Sequence, residues 1–169
     1  MTAESTAQAH VRRAMPSDVG AIVAFLNGVR ADGPRVDRVE IMRSFADKGF
    51  MVADLDGTLV AVVAWHVENL VACVEELYVS PVSLCATVIP QVLHALEDAA
   101  NQLMAEAALI FVACDAPQDA VNLFDGRGYK LADPATLPRA WREAATSLLK
   151  PEMKLLVKQL RESRVTRPI

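Results

Sequence analysis

Cysteine and histidine are scarce in this sequence, and neither is arranged as a set of ligands. The 169 residues include three scattered histidines and three cysteines, Cys73, Cys85 and Cys114, which are odd in number and widely spaced. A disulfide framework or a zinc site needs paired or closely spaced ligands. The sequence therefore excludes both, and it predicts that the cysteines are buried free thiols.

Clusters of basic residues are also absent. The formal net charge is −4, and no predicted element carries a run of Lys and Arg. A surface that binds nucleic acid needs such a basic patch. We therefore expect no nucleic acid among the partners of this protein.

No apolar run in the sequence is long enough to cross a membrane. The longest candidate, TLVAVVAWHVENLVACVEELYV, is interrupted by His66, Glu68 and Asn69. Residues 1–10 (MTAESTAQAH) have neither the charged nor the apolar region of a signal peptide, so we expect a disordered N-terminus there and a C-terminal tail over residues 161–169. The sequence predicts a cytoplasmic protein with no membrane partner.

Apolar residues, by contrast, are abundant. The hydrophobic fraction is 53% and the mean hydropathy is +0.24. These values exceed those of an ordinary soluble domain, so some apolar surface is expected to face a ligand or a second subunit. We predict one domain over residues 11–160, because this length suffices for a sizeable core, and we predict a homodimer.

Hydrophobic periodicity predicts alternating strands and helices. Asp56-Gly57 and the segment at residues 68–70 are typical of hairpin turns, and Asp37 followed by Glu40 is typical of a helix start. The predicted strands are residues 10–15, 50–56, 58–67, 71–79, 109–114, 129–132 and 153–160. The predicted helices are residues 17–32, 37–49, 88–108, 117–128 and 137–150.

Three segments carry a resemblance to a known family. They are VEELYVSP at the end of the fourth strand, a long helix about ten residues later, and AVNLFDGRGYKL near the end of the chain. With the order of elements, they resemble the GCN5-related N-acetyltransferase (GNAT) superfamily over residues 11–160. The resemblance implies an α+β fold in α/β/α layers, with a mixed, mostly antiparallel sheet of six or seven strands and helices on both faces. It also implies a bulge at the end of the fourth strand. The predicted helix at residues 137–150 is extra to this pattern, and it forms a helical insertion at residues 133–151.

The resemblance further implies an acyltransferase that moves an acetyl or other acyl group from CoA to a primary amine of a small molecule or peptide. The backbone of Leu77 and Val79 would contact the thioester and the pantetheine arm. The tyrosine that protonates the departing thiolate in the family falls on Phe124. The family's pyrophosphate loop, R-G-x-G-x-G, falls on Leu84, Cys85, Ala86, Thr87, Val88 and Ile89.

These six loop positions depart from the family's pattern, because they contain neither the arginine nor any glycine. Glycines let the backbone curl around a pyrophosphate, whereas Thr87, Val88 and Ile89 are stiff and Pro90 lacks an N–H donor. One interpretation is an acyltransferase with altered binding of acetyl-CoA. The other is a catalytically silent GNAT-like module that binds a ligand or a protein partner and has lost ordinary CoA binding.

Glu75 and Glu76 are the carboxylates nearest the expected cleft, where either can serve as general base, directly or through a water. The alternative is that Glu76 is solvated and Glu75 ends a strand pair. Successive strand residues point to opposite faces, so only one is expected to face the cleft. Tyr78 and Tyr129 are the phenols that could donate a proton in place of Phe124. The alternative for both tyrosines is a packed ring with its hydroxyl at the surface.

Two further features have two interpretations each. His66, beside Trp65, either lines an acceptor pocket or is structural. The helix around Trp141, within residues 133–151, is either a lid over the acceptor site or a contact between two copies of the chain. The contact between copies is the favoured interpretation.

Overall fold

The computed structural model of the chain describes residues 8–30 and 32–162. In this part of the chain there are seven strands and five helices, in the order that the sequence predicts. They are β1 (His10–Arg13), α1 (Val19–Val29), α2 (Arg38–Asp47), β2 (Gly49–Leu55), β3 (Thr58–Glu68), β4 (Val71–Val79), α3 (Cys85–Gln102), β5 (Ala107–Ala113), α4 (Gln118–Asp125), β6 (Lys130–Leu131), α5 (Arg139–Leu148) and β7 (Met153–Gln159).

The strands form one sheet in the order β1-β2-β3-β4-β5-β7-β6. β1 pairs with β2, β5 with β7 and β6 with β7 in antiparallel fashion, whereas β4 and β5 are parallel. A parallel pair needs a long crossover, which α3 provides. The mixed seven-stranded sheet with five helices confirms the predicted α+β fold.

Two tight turns set the pairing of the central strands. Asp56 and Gly57 have φ angles of 51° and 79°, and Asn69 and Leu70 have φ angles of 50° and 65°. Two-residue hairpin turns of type I′ require positive φ at both central residues. The predicted turns are confirmed at both places, although a leucine at positive φ is uncommon.

β4 contains one residue more than regular pairing with β3 allows. If the pairing continued unbroken from the β3–β4 turn, Val60 would lie opposite Val79. Instead, the N–H of Ser80 donates to the carbonyl of Val60 at 2.9 Å. Tyr78 packs in the same cluster as Val62, although regular pairing would send it to the opposite face. The extra residue is therefore a β-bulge that precedes Tyr78, in agreement with the family resemblance.

The chain divides into two compact units. The first unit contains residues 8–64 and 76–95, and its core lies between α1, α2 and the strands β2 and β3. Val19, Ile22 and Leu26 are fully buried on one stripe of α1 at the spacing expected for a helix. Asp37 caps α2 by accepting a hydrogen bond from the N–H of Glu40 at 2.8 Å, as predicted.

The second unit contains residues 65–75 and 96–162, and α5 supplies much of its core. Trp141 is only 4% exposed. It packs with Ala144 and Ala145 of its own helix and with strand residues of the same unit, Val71, Cys73, Ala107, Leu109 and Leu155. The Trp141 side chain therefore belongs to the core of this unit, and a lid or dimer contact of the helix stays a prediction. The homodimer stays a prediction that rests on composition alone.

The bounds of α3 differ from the predicted helix. The helix begins at Cys85 and ends at Gln102, so residues 107 and 108 belong to β5. Met104 adopts φ 62°, and the N–H groups of Met104 and Ala105 donate to the carbonyls of Asn101 and Ala100. These bonds form a Schellman motif. Because the left-handed position holds methionine and not glycine, the sequence carried no stop signal there.

Most of the predicted disordered N-terminus, residues 1–7, lies outside the described residues, as do residues 163–169 of the predicted tail. The last part of that N-terminal segment is ordered. Ala9 is buried and donates its N–H to Gln91 Oε1 at 2.9 Å, and His10 begins β1. Among the described residues, no helix has the length and apolar content needed to cross a bilayer.

We expect Trp141→Ala to lower the free energy of unfolding by about 3–5 kcal/mol, because it leaves a large cavity in the core of the second unit. Urea denaturation followed by circular dichroism measures this loss. Arg142→Ala, at an exposed position of the same helix, is the matched control and should stay within about 0.5 kcal/mol of the natural protein. If Trp141→Ala changes the molar mass in light scattering and leaves stability unaltered, the side chain belongs to an interface after all.

Candidate functional site

The second half of β4 contacts the end of α1 within the first unit. Arg30, the residue that caps the C-terminus of α1, places Nη2 2.6 Å from Glu76 Oε1. Its Nε donates to Tyr78 Oη at 3.0 Å, and its Cζ lies 5.0 Å from the centre of the Tyr78 ring. We call Arg30, Glu76 and Tyr78 the Arg30 cluster. It fixes two of the three predicted catalytic side chains.

The Arg30 cluster commits Glu76 to an ion pair. The side chain of Arg30 is 19% exposed. Burial lowers the pKa of its guanidinium, but the hydrogen bond to Tyr78 and the charge of Glu76 outweigh burial, and the pKa of Arg30 is raised overall. A carboxylate that is held by a permanent cation is less available to take a proton from a substrate.

The other predicted carboxylate, Glu75, lies beside His66 in the second unit. Glu75 Oε1 is 2.9 Å from His66 Nδ1, and Glu68 Oε2 is 3.9 Å from His66 Nε2. His66 Nδ1 is buried and has no hydrogen-bond partner within the described residues, so Glu75 approaches it as a close charged group. The side chains of His66 and Glu75 are 22% and 19% exposed. We call Glu68, His66 and Glu75 the His66 group.

The expectation that only one of the two glutamates can face the cleft depended on regular alternation along β4. The extra residue of the bulge interrupts that alternation. The two carboxylates are therefore distinguished by the side chains beside them, and not by the alternation of strand residues between the two faces of the sheet.

The segment after β4 differs from the expected loop. Residues Val82–Leu84 form a 3-10 turn, and the next five of the six loop positions lie in the first turns of α3. The N–H of Leu84 donates to the carbonyl of Pro81, and the N–H of Cys85 donates to that of Val82. Two backbone donors at this end of α3 therefore already have acceptors, which leaves fewer for an anion.

The side chains of this segment divide between core and surface. Val88 and Ile89 are buried, at 0% and 5% exposure. Leu84, Cys85 and Thr87 are half-buried and Ala86 is exposed. Val88 and Ile89 thus pack in the interior of the protein, and replacing either one would cost packing.

Leu77 and Val79, the residues whose backbone the resemblance assigns to the pantetheine arm, are half-buried on β4 near the bulge. Bulges expose backbone groups that a regular ladder would use.

Phe124 and Tyr129 are both buried. Phe124 is 5% exposed, and its ring meets that of Tyr129 edge to face, with centroids 6.5 Å apart. The Tyr129 hydroxyl is buried, so the expectation of a surface hydroxyl is wrong. Burial, and then the negative charge of Glu97, raise the pKa of Tyr129. Of the two predicted phenols, Tyr78 is the one that remains half-exposed.

Sequence reasoning missed a charged cluster in the second unit. Glu97 is 8% exposed, and its Oε2 accepts from Lys158 Nζ at 2.8 Å and from Arg127 Nη2 at 3.3 Å. The sequence did contain a signal for this cluster, because Glu97 follows Leu93 and Leu96 on the apolar stripe of α3. An acid in such a stripe needs cationic partners, which this cluster supplies.

The three cysteines differ in environment. Cys73 is fully buried, and burial followed by the charges of Glu68 and Glu75 raises its pKa to about 12. Cys85 is half-buried and Cys114 is exposed, so the prediction of buried thiols is correct for Cys73 and wrong for Cys114. Within the described residues, no three His, Cys, Asp or Glu side chains are placed to hold a metal ion.

Neither a protein-family model nor a curated protein matches this sequence. Solved structures match its fold. An acetyltransferase of the GNAT family from Staphylococcus aureus Mu50 aligns with a TM-score of 0.69 at 11% identity, over 91% of this chain and 100% of that chain. The PaiA N-acetyltransferase from Thermoplasma acidophilum, solved in complex with coenzyme A, aligns with a TM-score of 0.67 at 11% identity, over 90% and 99% of the two chains.

A third similar structure is larger. N-acetylglutamate synthase from Neisseria gonorrhoeae, complexed with coenzyme A and N-acetyl-glutamate, aligns with a TM-score of 0.66 at 19% identity, over 92% of this chain and 36% of that chain. The alignments cover the predicted family region almost completely, and their low identity explains why sequence comparison finds no relative. This chain has the fold of the GNAT N-acetyltransferases.

Proposed function

We propose that the protein transfers an acyl group from acetyl-CoA or a related thioester to a primary amine of a small molecule or peptide. The observation that carries the proposal is the match of nine-tenths of the chain to acetyltransferase structures. Two of the matching proteins were solved with coenzyme A. Because one fold can host unrelated functions, the residues of the site must support the same chemistry.

Acyl transfer to an amine makes three demands. It needs a neutral amine, hydrogen-bond donors for the oxyanion that develops on the carbonyl, and a proton for the departing thiolate. Backbone groups of Leu77 and Val79 near the bulge would meet the thioester and the pantetheine arm. Tyr78 is the better candidate proton donor of the two phenols, because this residue is half-buried, whereas the hydroxyl of Tyr129 is buried in the core.

Glu75 is the better candidate for the base side of the reaction. Glu76 is held by Arg30 at 2.6 Å, whereas Glu75 lies beside a side chain that can itself carry a proton, His66. The base function therefore belongs to the His66 group.

The start of α3 favours weak binding of the diphosphate of CoA. Position 84 holds leucine in place of a cation, and the N–H groups of Leu84 and Cys85 already have acceptors. CoA would then be held chiefly through its pantetheine arm along β4. This same observation favours the second candidate function, a catalytically silent GNAT-like module that binds another small ligand or a protein.

We expect the natural protein to bind CoA and pantetheine, which lacks the phosphates, with affinities within about threefold of each other, because its diphosphate contacts are few. Leu84→Arg with Cys85→Gly should make the protein prefer CoA by about tenfold or more, since it adds one charge-assisted contact. Isothermal titration calorimetry measures both affinities.

Leu84→Met with Cys85→Gly is the matched control for this experiment, because it repeats the backbone change without the cation. Thr87 and Ile89 stay unchanged, since Ile89 is buried. A natural protein that already prefers CoA strongly would contradict the weak-diphosphate interpretation and strengthen the acyltransferase. Failure to bind either ligand would favour the silent module.

We expect Glu75→Gln to lower kcat by about a hundredfold or more with CoA affinity nearly unchanged, because the base side of the reaction depends on this carboxylate. Glu76→Gln should have a smaller effect on kcat, because Glu76 is already engaged by Arg30. Release of free thiol from acetyl-CoA, with a panel of primary amines and peptides, provides the assay. Glu143→Gln, an exposed carboxylate on α5, is the control. Equal rates in the Glu75 and Glu76 variants would show that neither is the base.

A further inference from the structure

We infer that His66 is the group that takes the proton from the acceptor amine, and that Glu75 is a positioning residue that orients the His66 ring. This inference rests on the proposed function, since it assigns a role within the same reaction. It replaces a carboxylate base with a carboxylate-supported imidazole.

The first observation is the geometry of the His66 group. His66 lies near the end of β3 and Glu75 lies on β4, the two strands that the turn at Asn69 and Leu70 joins. Their side chains meet with Nδ1 and Oε1 2.9 Å apart. Groups placed on paired strands are held more rigidly than groups on loops, so the ring and the carboxylate keep a fixed relation.

The second observation is that the two ring nitrogens have different surroundings. Nδ1 is buried against Glu75, whereas Nε2 lies 3.9 Å from Glu68, beyond hydrogen-bond distance. A carboxylate beside one ring nitrogen favours the N–H on that nitrogen and leaves the lone pair on the other. The lone pair is therefore on Nε2, the nitrogen on the side of the exposed Glu68 carboxylate.

The third observation is the balance of charge around the ring. Glu75 is 19% exposed and Glu68 is 55% exposed, so one carboxylate is shielded and the other is in solvent. Both stabilise an imidazolium that forms during the reaction. Glu75 and Glu68 thus favour proton uptake at Nε2, and neither carboxylate blocks this nitrogen with a hydrogen bond.

Cys73 lies near enough to Glu68 and Glu75 to feel their charges, and it is not a nucleophile. It is fully buried, and its pKa of about 12 keeps it as a thiol. An acyl-cysteine intermediate on Cys73 is therefore excluded. Direct attack of the amine on the thioester makes deprotonation of the amine the task of the site.

The protons and electrons of the reaction balance without another reactant. The acceptor enters as an ammonium, and His66 Nε2 takes one proton. The lone pair of the amine then forms the C–N bond and the C–S bond breaks. The second proton of the nitrogen goes to the departing thiolate, and His66 returns its proton to solvent.

The kinetic test uses the full chain and three variants. His66→Gln should lower kcat/KM by about a hundredfold or more at neutral pH with unchanged CoA affinity, as expected for loss of a general base. In the natural protein the rate should fall on the acid side of the pH profile, because an imidazolium cannot accept the proton of the amine. That acid limb should be missing in His66→Gln. Glu75→Gln should keep the limb with a reduced rate, and His94→Gln, at an exposed position of α3, should behave as the natural protein.

A second measurement does not depend on turnover. Nitrogen NMR of protein labelled at histidine reports which ring nitrogen carries the proton. We expect the Nδ1–H form of neutral His66 in the natural protein and a mixture of both forms in Glu75→Gln. An Nε2–H form in the natural protein, or an unchanged form in Glu75→Gln, would overturn the positioning role.

The two tests separate the inference from the proposed function. A natural protein that never consumes acetyl-CoA overturns the acyltransferase, and the proton-accepting role of His66 falls with it. An active protein whose His66→Gln variant keeps its rate and its acid limb overturns the His66 assignment alone, and the acyltransferase stands. Activity lost in His66→Gln together with the Nδ1–H form supports both.

Discussion

The pairing of β3 with β4 is the constraint on which the rest of this structure depends. A two-residue turn starts the two strands in one register, and an extra residue in β4 shifts that register before Ser80. Without the shift, Tyr78 would point away from the cluster in which it packs. The bulge therefore determines which side chains of β4 meet α1, and it frees backbone groups at the point where the fold's ligand contacts are expected.

Most of the fold could be predicted because local signals agreed with one another. Alternating strands, the Asp56-Gly57 turn and the Asp37 cap each indicate one structure, and each is found where it was expected. The end of α3 could not be predicted, because Met104 adopts a left-handed conformation for which its type carries no preference. The surrounding hydrogen bonds impose that conformation, and such bonds are invisible in a linear pattern.

The features of the candidate site likewise divide into those that the sequence could predict and those that it could not. Glu75, Glu76 and Tyr78 could be proposed because they lie in one recognisable segment. The partner of Glu76 could not, because Arg30 is 46 positions away and belongs to a helix end with no motif of its own. Periodicity correctly predicted that one face of α5 is apolar, but periodicity does not identify what covers such a face. The apolar excess of the sequence, which suggested a second subunit, is used in part by Trp141 within its own core.

The placement of Trp141 changes how the helical insertion can be treated by anyone who reshapes this protein. A segment that merely covered a cleft could be trimmed to widen access for bulkier acceptors. Here, removal of residues 133–151 would uncover Val71, Leu109 and Leu155 on the sheet, and an exposed apolar sheet face is a nucleus for aggregation. Access of bulkier acceptors to the cleft must instead be widened by substitutions at half-exposed positions. The insertion therefore belongs to the core of the second unit, although it comes late in the sequence.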